Sequence, residues 1–483
     1  MRLGRLAGPF VSPPFPIFKV SPISIIPKSE PGKFRLLHNL SSPYDYRAVN
    51  FNIPREFAAV TYESLQDAID FINILPQPYL AKFDIKDAFR LIPLHPDDYY
   101  LTGLLWENFY YYDRTLPMGC SSACFIFEKF SSALKYIMQS HLNIPYVVKL
   151  LDDFLIISPN ASLATESLNS TLSTLDSLGV PLSHEKTVQP TQSLTFLGIT
   201  LDTVTMTAQI PTAKTVAYLA LIDSTISTKS ITLTNLRSLL GKLQHVTSIV
   251  RSGRPFLRRL YDLTCGVDKS YLTIYLDDET LYDLLVWKEL IVSFNQKSIR
   301  LSPWVSNFTI SFYSDASNWG YGCIYGSSWF QGPWPPSWGK YHINIKELFP
   351  IYMAIHVFAP KLMNSQVIFY TDNKCVVDCL AILSSKSPLL MSIIRPITLT
   401  LLKYNIHMQF RHIEGKKNVL ADLLSRQMVS LQPGVFIPAL LRHPISGPLL
   451  TKLKPYPVTL PPHLLPGNSS IPLPTDFILP SVV

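Results

Sequence analysis

Two carboxylates side by side are costly to bury, because each ion loses its water shell and the pair repel, unless a cation sits between them. The stretch Lys149-Leu-Leu-Asp-Asp-Phe-Leu-Ile-Ile-Ser158 sets such a pair, Asp152 and Asp153, between apolar runs. Tyr146 to Leu151 and Phe154 to Ile157 read as two short buried strands joined at the acids, so the arrangement asks for a metal ion; an ordinary hairpin turn is the plainer alternative. Two other acid pairs lack that setting. Asp97-Asp98 follows a proline and Asp277-Asp278 precedes a helix-like run, and both read as solvated caps or turns. Asp84, ending the strand-like run from Ala81, is a plausible third ligand beside Asp152 and Asp153, whereas Asp87 reads as a structural or capping residue.

A second set of acids lies in the last third of the chain. Asn307 to Asp315 reads as a strand ending in an acid, Gly320 to Tyr325 as a second strand, and Gln366 to Asp372 as another strand with an acid at its end. Asn344 to Glu347 opens a helix with Ile345, Leu348, Tyr352 and Ile355 on one face, and Pro350 is expected to kink it. A strand-like run over 406–413 ends beside His412, in a loop, and leads to a helix bearing Asp422. Strand-end acids, a helix glutamate and a late helix aspartate can converge on one metal cluster at a sheet edge, although each alone also fits a cap or surface acid.

The elements that must carry these groups belong to a large chain. Its 483 residues, 47% of them hydrophobic, suffice for two to four domains with real cores and exclude a disordered protein. A net charge of +8 suits a polyanionic partner. No apolar run approaches the roughly 20 residues that span a bilayer. Pro9, Pro13, Pro14 and Pro16 break any secretory core behind the basic start, so no signal peptide is read and an intracellular place, cytoplasmic or nuclear, is expected. Six cysteines form no dense framework, which suits a reducing compartment; Cys120/Cys124 and Cys375/Cys379 read as small core residues, not zinc ligands.

Residues 1–16 are a proline-rich leader. Pro31-Gly32 is a turn signal between two extended runs, a hairpin whose Lys28, Lys33 and Arg35 can clasp a triphosphate or simply be solvated. Thr115-Leu-Pro-Met-Gly-Cys-Ser-Ser-Ala-Cys124 is a Gly/Ser loop leading into a helix; it permits close approach to a flat ligand, or is a plain helix start. Ser162 to Leu178 has helical periodicity and stops at Gly179. Over 206–302 the chain turns helical and basic: Thr234 can cap a helix with Leu236, Leu239, Leu240 and Leu243 on one face and Arg237 and Lys242 on others, and Arg251, Arg254, Arg258 and Arg259 form the densest basic cluster there. Beyond about 429 the chain is rich in Pro and Leu, a tail or linker.

In this order the motifs resemble the reverse transcriptase family over about residues 17–205. The resemblance implies that Asp84, Asp152 and Asp153 are catalytic metal ligands. Leu116-Pro-Met-Gly119 lies under the incoming nucleotide, with Met118 and Gly119 in contact. Lys186 and Phe196-Leu-Gly198 match later palm motifs, Lys28 and Arg35 the triphosphate-binding fingers, and Phe89 the bulky ring against the sugar. Leu150 stands where many members place an aromatic residue, and Met118 where retroviral enzymes carry Gln. The second acid set resembles the ribonuclease H fold of retroelements. That matches Asp315, Glu347, Asp372 and Asp422 as its metal ligands and His412 as the histidine that assists product release, with Asn418 to Arg426 a specific retroelement signature.

These resemblances imply a multidomain α+β protein: a right-hand polymerase with fingers and palm (17–205) and thumb or connection (206–302), then an α/β ribonuclease H-like domain with a mixed sheet (303–428) and a tail (429–483). They imply two Mg²⁺ ions per active site, or Mn²⁺, about 3.5–4 Å apart. The implied partners are an RNA template, a DNA primer or RNA–DNA hybrid and dNTPs, with no membrane. Arg237, Lys242, Arg251, Arg254, Arg258 and Arg259 would grip the phosphate backbone. Ala7-Gly-Pro-Phe10 with Pro13-Pro-Phe15, the basic hairpin and the abutting ribonuclease H look most like DIRS-type, tyrosine-recombinase retrotransposon polyproteins, with Ty3/gypsy-like elements second. The rival reading is an inactive or domesticated remnant that binds nucleic acid.

Overall fold

The computed structural model describes residues 4–27, 32, 34–267, 269, 271–295, 297–298, 311–326, 328–334, 336–363, 365–404, 406–426 and 454–455. The chain divides into two compact units, Met1–Pro211 with Ser298–Arg300, and Thr212–Lys297 with Leu301–Val483.

The first unit is built on an antiparallel sheet whose strands read as unbroken apolar runs because helices and loops cover both faces. After β1 (Leu6–Phe10), the hairpin β2 (Ile23–Pro27) and β3 (Phe34–His38), and helix α1 (Leu65–Ile74), the strand β4 (Tyr79–Asp84) enters this sheet. Strands β5 (Gly103–Trp106) and β6 (Phe109–Asp113) pair with β1 in a separate three-stranded sheet. Helix α2 (Ala123–Ser140), β7 (Val147–Leu150), β8 (Asp153–Ser158), α3 (Ala161–Ser177) and β9 (Val188–Thr191) complete the main sheet in the order β7-β8-β4-β9. Phe83 and Phe154, opposed in register, stack at 4.8 Å and join Phe127, Ile156 and Leu168 in the core. Asn160 caps α3 by accepting from Leu163 N, and Gly179, at φ +72°, ends it, as the sequence predicts. Strands β10 (Ser193–Phe196), β11 (Ile199–Asp202) and β12 (Thr207–Gln209) follow as an antiparallel meander.

The second unit opens with α4 (Thr212–Thr228), β13 (Ser230–Thr232), α5 (Leu233–Val246), α6 (Arg258–Asp262), β14 (Thr273–Tyr275) and α7 (Asp278–Phe294). Leu236, Leu239, Leu240 and Leu243 are buried along α5. Its cap is Thr232, which accepts from Asn235 N, rather than Thr234, because the helix starts one residue before Thr234. Asp277 caps α7 through Thr280 N. A two-residue strand β15 (Lys297–Ser298) comes next.

Strands β16 (Phe312–Ala316), β17 (Gly320–Tyr325) and β18 (Ser328–Pro333) form an antiparallel meander. Helix α8 (Ile343–Phe358) then leads to β19 (Gln366–Thr371), which pairs parallel to β16. Helices α9 (Lys374–Ile382) and α10 (Pro388–Lys403) precede β20 (His407–His412), parallel to β19, and α11 (Val419–Ser425) follows. The mixed sheet has the order β20-β19-β16-β17-β18, and β21 (Lys454–Pro455), from the tail, pairs with β18. Helix α8 runs through Pro350 as one element and is buried from Ile345 to Ile355 on all sides, not on one stripe. Within this unit Asp283 on α7, fully buried, meets Arg259 of α6 at 2.9 Å and Arg395 of α10 at 3.5 Å. Burial pushes its carboxyl up to about 6 against the pull of the two guanidinium groups.

Candidate functional site

The first carboxylate cluster follows from strand register. Antiparallel pairing of β4 with β8 sets Asp84 directly opposite Asp153, so both side chains stand on one face of the sheet. Asp152 lies on the turn between β7 and β8, whose preceding residue Leu151 has φ +53°, and its carbonyl accepts from Ile85 N at 3.0 Å. Two lysines supply positive charge. Lys186 Nζ donates to both oxygens of Asp84 at 3.0 Å, and Lys82 Nζ lies 3.0 Å from Asp153 Oδ1. Burial, then the charges of Asp84 and Asp153, hold the Asp152 carboxyl above its ordinary value against a main-chain hydrogen bond and Lys186. Burial would lower the Lys186 ammonium, but its hydrogen bond to Asp84 and the three carboxylates raise it. The oxygens of Asp84, Asp152 and Asp153 do not all lie within 4.8 Å of one another in this structure, though hard oxygen donors with net negative charge are of the kind that divalent cations take.

Lys82 is absent from the sequence-derived site. Its signal is the spacing: two residues before Asp84 on one strand, it shares that residue's face. Beneath the hairpin, Lys149 is 1% exposed and pairs with Glu128 of α2, while its main-chain N donates to Glu63 at 3.0 Å.

Arg35 is exposed on β3, opposite Ile26 in the hairpin, whereas Lys28 lies outside the described residues. Phe89 is half-buried, its ring edge-on to Phe127 at 5.6 Å. Met118 accepts at its carbonyl from His38 N at 2.8 Å. Gly119 has φ +119°, and a Cβ there would lie 2.0 Å from His38 O. The glycine thus serves a close approach to the protein's own β3 backbone. Asp87, ion-paired with Arg5 at 2.8 Å, is structural, as the sequence predicts.

The second cluster stands at the ends of β16 and β19, two interior strands of the mixed sheet. Asp315 on β16, Glu347 on α8 and Asp372 after β19 bring carboxylate oxygens within 4.8 Å of one another. Burial, then the charges of Asp315 and Asp372, push Glu347 up to about 9. Asp315 is pushed up to about 6 by burial, opposed by the Ser425 hydroxyl that donates to it and reinforced by Asp372 and Asp422. Asp372 is raised, chiefly by burial. Glu347 Oε2 is buried with no hydrogen-bond partner among the described residues. An orphaned carboxylate oxygen beside two more carboxylates fits a hard divalent cation.

Asp422 does not join the group of three. It lies on α11 and pairs with Arg426, one turn on, at 2.8 Å. His412 ends β20 rather than sitting in a loop, and its Nε2 lies 3.1 Å from the Asp372 carbonyl. Ser425, three residues after Asp422, is the member that the sequence reading missed. Gly322 on β17 lets α11 close on the sheet, since a Cβ there would lie 2.3 Å from Leu424 Cβ.

Among the basic residues, Arg237 and Arg251 are exposed and Lys242 and Arg254 half-buried. Arg258 and Arg259, expected to grip nucleic acid, each have acid partners within the fold. Arg258 pairs with Asp262 at 2.5 Å, and Arg259 with Asp283 and Glu279, because acids on the same and neighbouring helices reach them first. Cys375 is exposed and Cys120, Cys124 and Cys379 are half-buried, so these pairs are not core residues. No helix among the described residues is long and apolar enough to cross a membrane.

Residues 26–201 match the family of reverse transcriptases (RNA-dependent DNA polymerases). The chain is 28% identical over 289 residues to the Gag-Pro-Pol polyprotein of human T-cell leukemia virus 2, which covers 58% of this chain and 17% of that protein. It is 23% identical over 363 residues to a putative enzymatic polyprotein of cassava vein mosaic virus, covering 72% of this chain and 52% of that one. The chain therefore spans a part of each of these relatives. Among solved structures it is similar to a foamy viral protease-reverse transcriptase in complex with dsDNA, at 19% identity and a TM-score of 0.47, covering 82% of this chain and 78% of that one. Residues 26–201 are a reverse transcriptase domain of the kind carried by retroelement and retroviral polyproteins.

Proposed function

We propose that the chain is an RNA- and DNA-directed DNA polymerase joined to a ribonuclease H, acting on RNA template, DNA primer and hybrid as part of a retroelement polyprotein. The observation that carries this reading is the register of β4 on β8, which opposes Asp84 and Asp153 with Asp152 at the adjoining turn, inside the segment that matches the reverse transcriptase family. Phosphoryl transfer asks mainly for positioning and charge neutralisation. Divalent cations, Mg²⁺ or Mn²⁺, held by Asp84, Asp152 and Asp153 would activate the attacking hydroxyl and stabilise the departing pyrophosphate. Lys82 and Lys186 keep two of the three carboxylates aimed into the site. Arg35 with Lys28 binds the triphosphate, Met118 and Gly119 support the nucleotide, and Phe89 limits space at the sugar. Arg237, Lys242, Arg251 and Arg254 contact phosphates of the duplex.

For the nuclease, support comes from the mixed sheet and from three converging carboxylates with an unpartnered Glu347 oxygen. Asp315, Glu347 and Asp372 would hold the cation, with Asp422 adding charge from α11 and His412 beside Asp372. We also infer a DIRS-type lineage from the motif set, with Ty3/gypsy-like elements second. The test pairs extension of a DNA primer on RNA with cleavage of a labelled hybrid, both with Mg²⁺. Asp152→Asn is expected to abolish extension and spare cleavage, and Asp372→Asn to do the reverse. A parent protein that does neither, yet binds nucleic acid with steep salt dependence, overturns the proposal in favour of an inactive remnant.

A further inference from the structure

Ser425, the last residue of α11, is fully buried, and its hydroxyl reaches two oxygens. It lies 2.9 Å from the Asp422 carbonyl, three residues back, and nearer still to Asp315 Oδ2 on β16. A hydroxyl has one hydrogen to give. The carboxylate is both the stronger acceptor and the nearer one, so the hydrogen goes to Asp315 in a charge-assisted bond.

The serine is held in place by contacts that do not involve that carboxylate. Its carbonyl accepts from Ser317 Oγ at 2.8 Å, in the turn that follows β16. The turn is itself closed by hydrogen bonds: Ser317 Oγ accepts from Trp319 N at 3.0 Å and from Gly320 N at 3.3 Å, and Ser317 N donates to the Gly320 carbonyl at 2.9 Å. At the start of α11, the buried Asn418 donates through Nδ2 to the Ser314 carbonyl at 2.8 Å. Leu424 meanwhile closes on Gly322. The helix is thus tied to β16 on either side of Asp315, at Ser314 and at Ser317, and it delivers the hydroxyl to a fixed point. Asp315 needs such a point. Its oxygens share a space of 4.8 Å with those of Glu347 and Asp372. Like charges so close repel, and apolar packing does not set the plane in which a carboxylate lies, whereas a fixed donor does.

We propose that Ser425 is a positioning residue: its hydroxyl fixes the Asp315 carboxylate in the orientation from which it shares a divalent cation with Glu347 and Asp372. This rests on the reading of those three carboxylates as a cation site. The packing of α11 brings the hydroxyl to the site, and the hydroxyl alone sets the ligand.

The test uses the full chain and reads the site locally, through hydrogen–deuterium exchange of residues 312–316 as Mg²⁺ is added. In Ser425→Ala the Mg²⁺ midpoint for their protection is expected to rise about tenfold, the size of effect that follows loss of a hydrogen bond to a metal ligand. Without Mg²⁺, exchange of residues 419–425 is expected to stay within about twofold of the parent, because alanine keeps the apolar contacts and the Ser317 bond is to the main chain. Ser425→Cys, a weak donor of nearly the same shape, is expected to give a midpoint between the two, and it decides the matter where Ser425→Ala does not fold. In cleavage of a labelled hybrid, the Mg²⁺ concentration for half-maximal rate is expected to rise by the same factor, with the rate at saturating Mg²⁺ changed less than about threefold. A midpoint that neither variant moves overturns the proposal. So does a raised midpoint accompanied by faster exchange of residues 419–425 without Mg²⁺, which marks loosened packing of α11. A parent that neither Mg²⁺ nor Mn²⁺ protects at residues 312–316 overturns the cation reading and the proposal with it, whereas a protected parent with unmoved variants overturns the proposal alone.

Discussion

Replacing Glu347 by Gln should stabilise the cation-free protein while abolishing hybrid cleavage. Glu347 is displaced from an ordinary 4.5 to about 9 by burial and by Asp315 and Asp372. At about 1.4 kcal/mol per unit, this bounds the cost of ionising it in the fold at roughly 6 kcal/mol. Three carboxylates share that cost, and protonation of one relieves the others, so a single substitution should recover only about 1–3 kcal/mol. The sign follows from linkage: the folded state holds the proton more tightly than the unfolded chain, so the protein is most stable below about pH 4.5 on this account and loses stability as pH climbs toward about 9. The assay is exchange protection of β16 with EDTA, at about pH 5 and about pH 8, a window set by that linkage. Glu347→Gln should gain protection at the higher pH and gain little at the lower, and Mg²⁺ should protect the parent and not the variant. Equal loss of protection at both pH values would sink the reasoning, because the carboxylate would then be a structural hydrogen-bond member rather than a strained ligand.

Other substitutions test separate parts. Gly119→Ala places a Cβ 2.0 Å from the His38 carbonyl at φ +119°; the strain, roughly 1–3 kcal/mol, should abolish primer extension and leave hybrid cleavage intact. Gly322→Ala should displace α11 and abolish cleavage while sparing extension, measured on the same two substrates. Arg395→Ala leaves the buried Asp283 with Arg259 as its remaining guanidinium partner among those described and should cost about 3–5 kcal/mol in denaturant melts. Arg395→Ala with Asp283→Leu should recover part of that loss. Phe89→Val should admit more ribonucleotide in competition assays, the expected result of freeing space at the sugar.

Asp84, Asp315 and Asp372 were legible because each lies at or near the end of a strand-like run, Asp152 and Asp153 because they join two such runs, and Glu347 because it opens a helix. Asp84 and Asp153 stand opposite each other, and Asp315, Glu347 and Asp372 come together. What escaped reading depends on which partner arrives first. Asp422 and Arg426 sit one helical turn apart, so that acid finds a cation before it finds the cluster. Arg259 looks like its basic neighbours in one dimension, and only the packing of α7 reveals Asp283. Helix α8 defeated a one-face reading because it is enclosed on every side, so its apolar residues show no stripe. Gly119 also permits the close approach of β3, a long-range contact that no local spacing encodes.

The position of α11 has a consequence for the order in which the molecule acquires its parts. Leu424 covers Gly322, and Ser425 holds both Asp315 and Ser317, yet Ser425 follows Asp315 by 110 residues. Domains fold as they emerge, so Asp84, Asp152, Asp153 and Lys186 can meet while the mixed sheet is still being made. A nascent chain can thus bring Asp84 and Asp153 into register early, while Asp315 lacks its Ser425 partner until α11 has emerged and docked.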